Sequence, residues 1–319
     1  MFRTFLALII GGLWPAIAVS WSGAPCPIQR AASAGSYVWL LCDRQDLLIS
    51  ADEGRTWQTR HLPSDVKFRA MAFLDSRRGF VAGEGGTLLA TEDGAETWRQ
   101  VPLPTQENLT SIHFVGELGW LAGGAGLILH SPDGGKTWQR QPSGVQQGLE
   151  GIFFTDADHG WAVGWVGTIL RTTDGGRTWE RVWLPKTFWS LNSVYFSDPK
   201  HGWAVGFGGQ ILSSHDGGLT WQERESPVHA WLKSVAFDRY GRGWIVADNH
   251  LLLSEDRGET WRPLSVGGTL FLHQVLPVRD SLWAVGQFGV LRQANGAREF
   301  TTLATLPAAR QPGQPGGES

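Results

Sequence analysis

The sequence predicts an all-β fold, a seven-bladed β-propeller with four-stranded blades and Asp-box turns. Two observations carry this prediction. A Thr-Trp pair follows an Asp by four residues six times, and successive tryptophans are 41, 40, 41, 42 and 40 residues apart. A second aromatic series precedes the first by 17 or 18 residues and has seven members. A period of about 40 residues built from strand-like segments is typical of one small sheet repeated around an axis.

The first aromatic series consists of Trp57, Trp98, Trp138, Trp179, Trp221 and Trp261. The second series consists of Trp39, Phe80, Trp120, Trp161, Trp203, Trp244 and Trp283. A seventh, eroded copy of the first series lies in the segment 293–300, which ends in Phe300. We therefore expect seven blades in a single domain at 27–306, since all-β rings of this length form one domain. The Pro/Gly/Gln-rich tail at 307–319 is expected to be disordered.

Each repeat divides into four strand-like runs. In the repeat 108–141 the first run alternates and is rich in β-forming residues, and turn-forming residues separate the others. The four runs are Leu109–Phe114, Gly119–Gly123, Leu127–Ser131 and Thr137–Gln141. Four short strands in about 40 residues are typical of a propeller blade.

The turn between strands three and four carries the repeated motif that we call the Asp-box, for example Ser131–Trp138. Its Asp can accept hydrogen bonds from N–H groups of its own turn, and its Gly can adopt the positive φ that the turn needs. Its Trp can bury against the neighbouring hairpin. We therefore interpret the box aspartates as structural residues, neither metal ligands nor catalytic acids. They are Asp52, Asp93, Asp133, Asp174, Asp216 and Asp256.

Composition narrows the possible ligands. The net charge is −3 and the sequence shows no basic stripe, so a nucleic-acid partner is not expected. No Cys/His spacing typical of a metal site occurs, and no GxGxxG motif opens a helix. We predict neither a metal nor another cofactor. With 18 tryptophans and 42% hydrophobic residues, the chain can build a large core.

The N-terminal residues 1–20 have the pattern of a secretory signal peptide. Arg3 supplies a positive charge, residues 5–14 are apolar, and cleavage is expected after Ala18 or Ser20. An uncleaved anchor is the alternative, although the apolar run is short for a membrane span. The mature protein would then be exported to a periplasm, or to a thylakoid lumen if the organism is photosynthetic.

The chain has two cysteines, Cys26 and Cys42, with a turn signal at 32–36 halfway between them. A hairpin that turns there would bring the two residues opposite each other at cross-strand distance. An exported protein can keep such a bond oxidised. We predict a disulfide at the start of the first blade; two unlinked thiols are the alternative.

Two resemblances emerge from these repeats. The box S/T-x-D-x-G-x-T-W is similar to that of bacterial-neuraminidase-type repeats. The longer pattern at 160–179 (GWAVG, then GTILRTTDGGRTW) resembles the photosystem II stability/assembly factor family, as do segments 202–221 and 118–138. The resemblance covers nearly the whole mature chain. It implies an exported, non-enzymatic seven-bladed propeller, and family members in photosynthetic organisms help to assemble photosystem II at the lumenal membrane face.

Several aromatic residues depart from the repeat in one region. The loops between strands two and three and those between successive blades emerge on one face of a propeller, the top face. Aromatic residues outside the repeat map to this face over blades 4 to 6: Trp165, Trp183, Phe188, Trp189, Phe207 and Trp231. A concentrated apolar patch marks an interaction site, and Trp often dominates binding energy. We predict that these residues bind a protein partner; the alternative is that they plug the channel.

A second departure lies at the entry to the innermost strands. One position there changes from repeat to repeat, and its residues should ring the mouth of the central channel: Arg69, Thr110, Glu150, Asn192, Lys233 and His273. Their mixed charges disfavour a simple anion or cation site. Solvation of the channel is the simpler interpretation.

The strongest enzymatic alternative is a sialidase-like glycosidase, which would share the Asp-box. Such an enzyme needs paired carboxylates, or a Tyr nucleophile with a partner acid, and arginines that hold the substrate carboxylate. The chain has only three tyrosines, and its candidate top-face acids fall in different blades: Glu84, Glu150 and Asp248. We therefore predict no catalytic residues. A glycan-binding propeller remains a further alternative, although the predicted patch is broad and apolar for a sugar pocket.

Together these observations predict a non-enzymatic, monomeric propeller scaffold that binds a subunit of a membrane or envelope complex through its top face. The function expected from the resemblance is assembly or stabilisation of that complex.

Overall fold

Seven four-stranded antiparallel sheets form the protein, which confirms the predicted all-β propeller. The computed structural model describes residues 26–43, 45–184, 189–265, 271–287, 289–293 and 300–305. The predicted signal peptide and C-terminal tail lie outside these residues. Within the described ranges, no helix has the length and apolar character that crossing a membrane requires.

In every blade the four strands follow one another in chain order from the channel outward. Blades 1 and 2 contain β1 Ile28–Ala34, β2 Tyr37–Cys42, β3 Asp46–Ser50, β4 Gln58–His61, β5 Phe68–Phe73, β6 Gly79–Gly83, β7 Leu88–Thr91 and β8 Arg99–Gln100. Blades 3 and 4 contain β9 Leu109–Val115, β10 Leu118–Gly123, β11 Ile128–Ser131, β12 Gln139–Gln141, β13 Leu149–Phe154, β14 Gly160–Gly164, β15 Thr168–Thr172 and β16 Glu180–Val182.

Blades 5 and 6 contain β17 Leu191–Phe196, β18 Gly202–Gly206, β19 Ile211–Ser214, β20 Gln222–Arg224, β21 Leu232–Phe237, β22 Gly243–Ala247, β23 His250–Ser254 and β24 Arg262–Leu264. Blade 7 contains β25 Leu272–Val278, β26 Ser281–Gly286, β27 Gly289–Gln293 and β28 Thr301–Thr305. Strands two and three are joined by short 3₁₀ turns in blades 2 to 5: Glu84–Gly86, Gly124–Gly126, Trp165–Gly167 and Phe207–Gly209.

The Asp-box of blade 3 delays the start of its fourth strand. The fourth run of blade 3 was expected from Thr137, but β12 begins at Gln139. The reason is that Asp133 holds Thr137 in the turn, accepting its backbone N–H at 2.9 Å and its hydroxyl at 2.7 Å. In blade 4, Gly175 and Gly176 follow the box Asp with φ of 75° and 87°, which glycine adopts without strain.

The box carboxylates titrate at unusually low pH. The N–H and then the hydroxyl of Thr137 lower the pKa of Asp133 to about 2. Burial raises the pKa of Asp174, but the N–H and hydroxyl of Thr178 outweigh that effect and bring it to about 2. Asp52 and Asp93 also have pKa values of about 2. The charged carboxylate is therefore the form that the folded turn binds.

Acid should destabilise the protein through these turns. An unfolded Asp titrates near pH ~3.9, so the stabilisation is complete above that pH and is lost as the pH falls toward ~2. We expect the free energy of unfolding, measured in urea across this range, to fall steeply with acid. Asp174→Asn should be less stable at pH 7 and should show a shallower acid limb. An acid limb as steep as that of the wild type would contradict the role of this carboxylate.

The core consists of apolar clusters at the junctions between neighbouring blades. At the junction of blades 4 and 5, Trp161 is fully buried and stacks on Phe196 with ring centroids 3.4 Å apart. Its indole N–H donates to the carbonyl of Gly217 in the Asp-box of blade 5, at 2.9 Å. Trp120 repeats this arrangement one blade earlier, stacking on Phe154 and donating to Gly175. At these two junctions the second aromatic series therefore joins a blade to the box of the next.

The predicted disulfide is present in blade 1. Ala34 pairs with Tyr37, so the hairpin turns at Gly35 and Ser36. Cys42 pairs with Ile28, so Cys26, two residues before that partner, is not directly opposite Cys42 as expected. The Cα atoms of the two cysteines are nevertheless 5.5 Å apart, and the residues are disulfide-bonded.

The ring closes between blade 1 and blade 7 without a shared strand, because each of these blades forms its own four-stranded sheet. The side-chain amide of Gln274 accepts the N–H of Ala31 at 2.8 Å and donates to its carbonyl at 3.0 Å. Glu53 forms ion pairs with Arg279 and Arg292 at 2.9 and 3.2 Å. Side-chain bonds and packing, rather than a completed sheet, therefore hold this junction together.

Candidate functional site

The top face is built from two kinds of loop that hydrogen-bond to each other. The N–H of Gly167, at the end of a 3₁₀ turn, donates to the carbonyl of Trp189 in the blade 4–5 connection at 2.8 Å. Gly209 makes the same bond to Ala230 in the next blade at 2.7 Å. Residues of the turns and of the connections therefore meet on one surface.

Five apolar residues are exposed on this surface, and we call them the aromatic patch; the turn that carries two of them is joined to Trp189 by the backbone bond of Gly167. Their exposed fractions lie between 47% and 56%: Trp165, Val166, Trp189, Phe207 and Trp231. The ring of Phe207 lies between those of Trp189 and Trp231, with centroids 5.3 and 6.4 Å away. Large apolar side chains left half exposed together are unusual for a surface that faces only water.

Sequence reasoning missed Val166. It lies at the centre of its 3₁₀ turn with φ 55°, where blades 2 and 5 have Gly85 and Gly208. A β-branched residue is strained at positive φ. The available signal was a β-branched Val at a position where two sibling repeats carry Gly.

Two of the six predicted aromatic residues are not part of this patch. Trp183 is 77% exposed, and the guanidinium of Arg181 covers its ring at 4.3 Å. Among the described residues it makes no ring contact with the patch. Phe188 lies outside the described residues. Ring contacts join Trp189, Phe207 and Trp231, and the bond from Gly167 to Trp189 places the turn of Trp165 beside them.

The six ring positions coincide with a backbone irregularity. In each innermost strand the pairing register skips that one residue, as at Glu150 between Leu149 and Gly151. Such a β-bulge re-aims the side chain. Five of the six line a channel cavity of about 170 Å³: Thr110, Glu150, Asn192, Lys233 and His273. Arg30, which sequence reasoning missed, lines the same cavity, whereas Arg69 pairs with Glu84 at 3.0 Å.

These ring residues are engaged with protein groups, so solvation of the channel is an incomplete description. Thr110 donates its hydroxyl to the carbonyl of Leu149, and Asn192 donates its amide to Leu232 at 2.9 Å. Burial, followed by the charges of Lys233 and Arg30, lowers the pKa of His273 to about 4. This imidazole is therefore neutral at pH 7.

A large cavity, about 760 Å³, lies on the opposite face and is lined by turns of blades 5 to 7. Its carboxylates Asp238 and Asp280 are ion-paired with Arg242 and Arg239 at 2.8 and 2.7 Å. Tyr195 donates to a backbone carbonyl at 3.3 Å, and burial raises the pKa of its hydroxyl. The polar groups of this cavity are thus committed to structural bonds.

The described residues contain no group of three His, Cys, Asp or Glu side chains that could hold a metal ion. Histidines near the box turns have a structural partner instead. His201 Nδ1 lies 2.8 Å from a carboxylate oxygen of Asp198, which also accepts the N–H groups of Lys200 and His201. His159 and Asp156 repeat this arrangement in blade 4.

Fold and site define the class as an Asp-box β-propeller that exposes several aromatic residues of blades 4 to 6 on its top face. The family model described as photosynthesis system II assembly factor YCF48 matches residues 14–103, 49–146 and 179–271, well over half of the chain. The chain belongs to the Ycf48 family of photosystem II assembly factors.

Curated relatives match over shorter segments. The chloroplastic photosystem II stability/assembly factor HCF136 of Oryza sativa subsp. japonica is 31% identical over 90 residues, which cover 26% of this chain and 21% of the rice protein. The photosystem II assembly lipoprotein Ycf48 of Parasynechococcus marenigrum is 39% identical over 67 residues, 20% of each chain. The matched segments thus span about a fifth of these relatives.

Solved structures share the fold. A structure of YCF48 bound to a D1 peptide aligns with a TM-score of 0.64 at 24% identity, covering 77% of this chain and 85% of that one. An ancestral GH74 enzyme aligns with a TM-score of 0.70 at 15% identity, covering 88% of this chain and 46% of the enzyme. At these identities the likeness establishes the propeller fold and not its ligand.

Proposed function

We propose that this protein is an exported, non-enzymatic scaffold that binds a protein partner through the aromatic patch. Its role would be the assembly of a membrane complex of the photosystem type. The patch itself is the observation that carries the proposal. Membership of the Ycf48 family supports the assembly role, and the solved YCF48 structure with a D1 peptide supports a polypeptide as the ligand.

The shape of the patch favours a polypeptide over a sugar. Its side chains extend over blades 4, 5 and 6, and the three rings of Trp189, Phe207 and Trp231 lie at mutual angles of 43° and 63°. Tilted rings present an uneven apolar surface, which suits several side chains of a partner better than one flat sugar ring. Buried Trp residues at the centre of an interface supply much of its binding energy.

Removal of two patch residues should abolish partner capture. We expect Trp165→Ala/Trp231→Ala to lose at least ~100-fold in affinity, because hot-spot truncations cost about 2 kcal/mol or more each. The measurement is crosslinking capture from native membranes with quantification of the complex subunits retained. Circular dichroism should be unchanged, since both side chains are about half exposed.

Two exposed residues outside the patch provide matched controls. Trp183→Ala removes a more exposed Trp from the same blade, and Leu219→Ala removes an exposed apolar residue elsewhere in the chain. Both variants should capture the same subunits as the wild type. Equal capture by the patch double variant would refute the proposal.

We further propose that the protein acts outside the cytoplasm, in a periplasm or a thylakoid lumen, as a monomer. The disulfide in blade 1 supports an oxidising compartment. The chloroplastic and lipoprotein descriptions of relatives support the same compartments. The ion-paired carboxylates of the large cavity support a binding role over hydrolysis, and a glycosidase substrate screen is the direct check.

A further inference from the structure

Blade 4 departs from its sibling repeats at three positions that meet in space: Gly148, Glu150 and Trp165. The residue before the innermost strand is Gly only in blade 4 among blades 2 to 7; the siblings have Lys67, Asn108, Ser190, Trp231 and Phe271. The first residue of the loop between strands two and three is Trp only in blade 4; the siblings have Glu84, Gly124, Phe207, Asp248 and Gln287.

Gly148 and Glu150 form a seat for the indole of Trp165. The backbone N–H of Trp165 donates to the carbonyl of Gly148 at 2.9 Å, which sets the start of the turn. The ring then lies against Gly148, so closely that a Cβ there would be 3.3 Å from Cε2 of the indole. The indole N–H donates to Oε1 of Glu150 at 2.7 Å. Gly148 thus leaves room for the ring, and Glu150 binds its N–H group.

The same positions are paired in two other blades, with different chemistry. In each case the β-bulge residue of the innermost strand contacts the first loop residue of its own blade, 15 positions later: Arg69 with Glu84 at 3.0 Å, and Lys233 with Asp248 at 2.8 Å. Blade 4 replaces the ion pair by a carboxylate acceptor and an indole donor. The same two positions are thus in contact in three blades, with matching chemistry each time. This recurrence indicates that the β-bulge residue at the channel mouth orients the first residue of the loop above it.

We propose that Gly148 and Glu150 are positioning residues that hold the Trp165 ring in its binding orientation within the aromatic patch. A half-exposed Trp would otherwise lose rotamer freedom when the partner binds, and this loss weakens binding. A hydrogen bond to a charged carboxylate is stronger than one between neutral groups, so it restricts the ring in the free protein. The inference rests on the proposed function of the patch.

The first test needs no partner. In protein carrying ¹⁵N-labelled tryptophan, the Trp165 indole N–H signal is assigned by its loss in Trp165→Phe. Glu150→Ala should shift this signal and Gly148→Ala should shift it less, whereas Glu150→Gln should leave it near its wild-type position, because the amide oxygen also accepts. Arg69→Ala, which breaks the equivalent pair with Glu84 in blade 2, should leave it unchanged. If the indole signal of Trp165 does not move in Glu150→Ala, Glu150 does not hold the ring and the proposal is wrong.

The second test measures capture of the membrane subunits retained by the wild type. Glu150→Ala should weaken capture about tenfold, the effect expected for one lost hydrogen bond to a charged group, and Glu150→Gln should largely restore it. A shifted indole signal with wild-type capture overturns the positioning role while the proposed function stands. Wild-type capture by Trp165→Ala/Trp231→Ala overturns the proposed function, and the positioning role with it.

Discussion

Replacement of Trp161 by alanine is expected to lower the free energy of unfolding by about 3–5 kcal/mol, the range for loss of a fully buried Trp. The side chain has no exposed surface and stacks on Phe196 across the junction of blades 4 and 5. Its loss would also leave the carbonyl of Gly217 without the indole N–H that it accepts. Urea denaturation followed by circular dichroism measures the change.

Two control variants separate packing from hydrogen bonding. Trp161→Phe keeps a ring on Phe196 but lacks the N–H, so it should cost less than the alanine variant. Trp165→Ala removes a ring that is 54% exposed and should change stability by less than ~0.5 kcal/mol. A loss below about 1 kcal/mol for Trp161→Ala would contradict the view that this aromatic series joins the blades.

Removal of the disulfide is the second large effect that we expect. The bond spans 16 residues, and closing a loop of that size stabilises a folded chain by about 2–4 kcal/mol. Cys26→Ala/Cys42→Ala should therefore unfold at a lower urea concentration than the wild type. Both cysteines are buried in the cluster that joins blade 1 to blade 7, together with Ile28 and Trp283.

The reduced wild-type protein is the matched comparison for this variant. Reduction should shift its unfolding midpoint as far as the double substitution does, and it should not affect the double variant. Glu53→Ala tests the same blade junction from its outer side, because it removes the carboxylate that pairs with Arg279 and Arg292. Unchanged stability in the double variant would show that the non-covalent contacts of this junction suffice.

Much of the architecture was predictable from local sequence. The Asp-box is a closed turn in which Asp133 binds groups at most four residues away. Its structure can therefore be predicted from eight consecutive residues. The cysteine pair was predictable for the same reason, because the hairpin that pairs Cys42 with Ile28 also brings Cys26 close. In both cases the interacting groups are near neighbours in the chain.

The site was only partly predictable. The excess of aromatic residues over the repeat pointed to Trp165, Trp189, Phe207 and Trp231, which do lie together. Trp183 also lies outside the repeat, but it follows the outermost strand β16, and its ring is covered by Arg181. Arg30 was missed because sequence reasoning considered only the position that the register skips; in β1 that position is Gln29, and Arg30 follows it.

The sequence by itself determined the number of blades, the turns and the faces on which loops emerge, because these follow from a period of about 40 residues and from turns that close locally. Tertiary structure alone decided which departures from the repeat meet. Glu150 and Trp165 are 15 residues apart in the chain and meet beside Gly148 because strands β13 and β14 pair around a β-bulge. Gln274 and Ala31 are 243 residues apart and are joined by a hydrogen bond. Such contacts depend on how the strands and blades are placed in the propeller, and no short stretch of sequence encodes that placement.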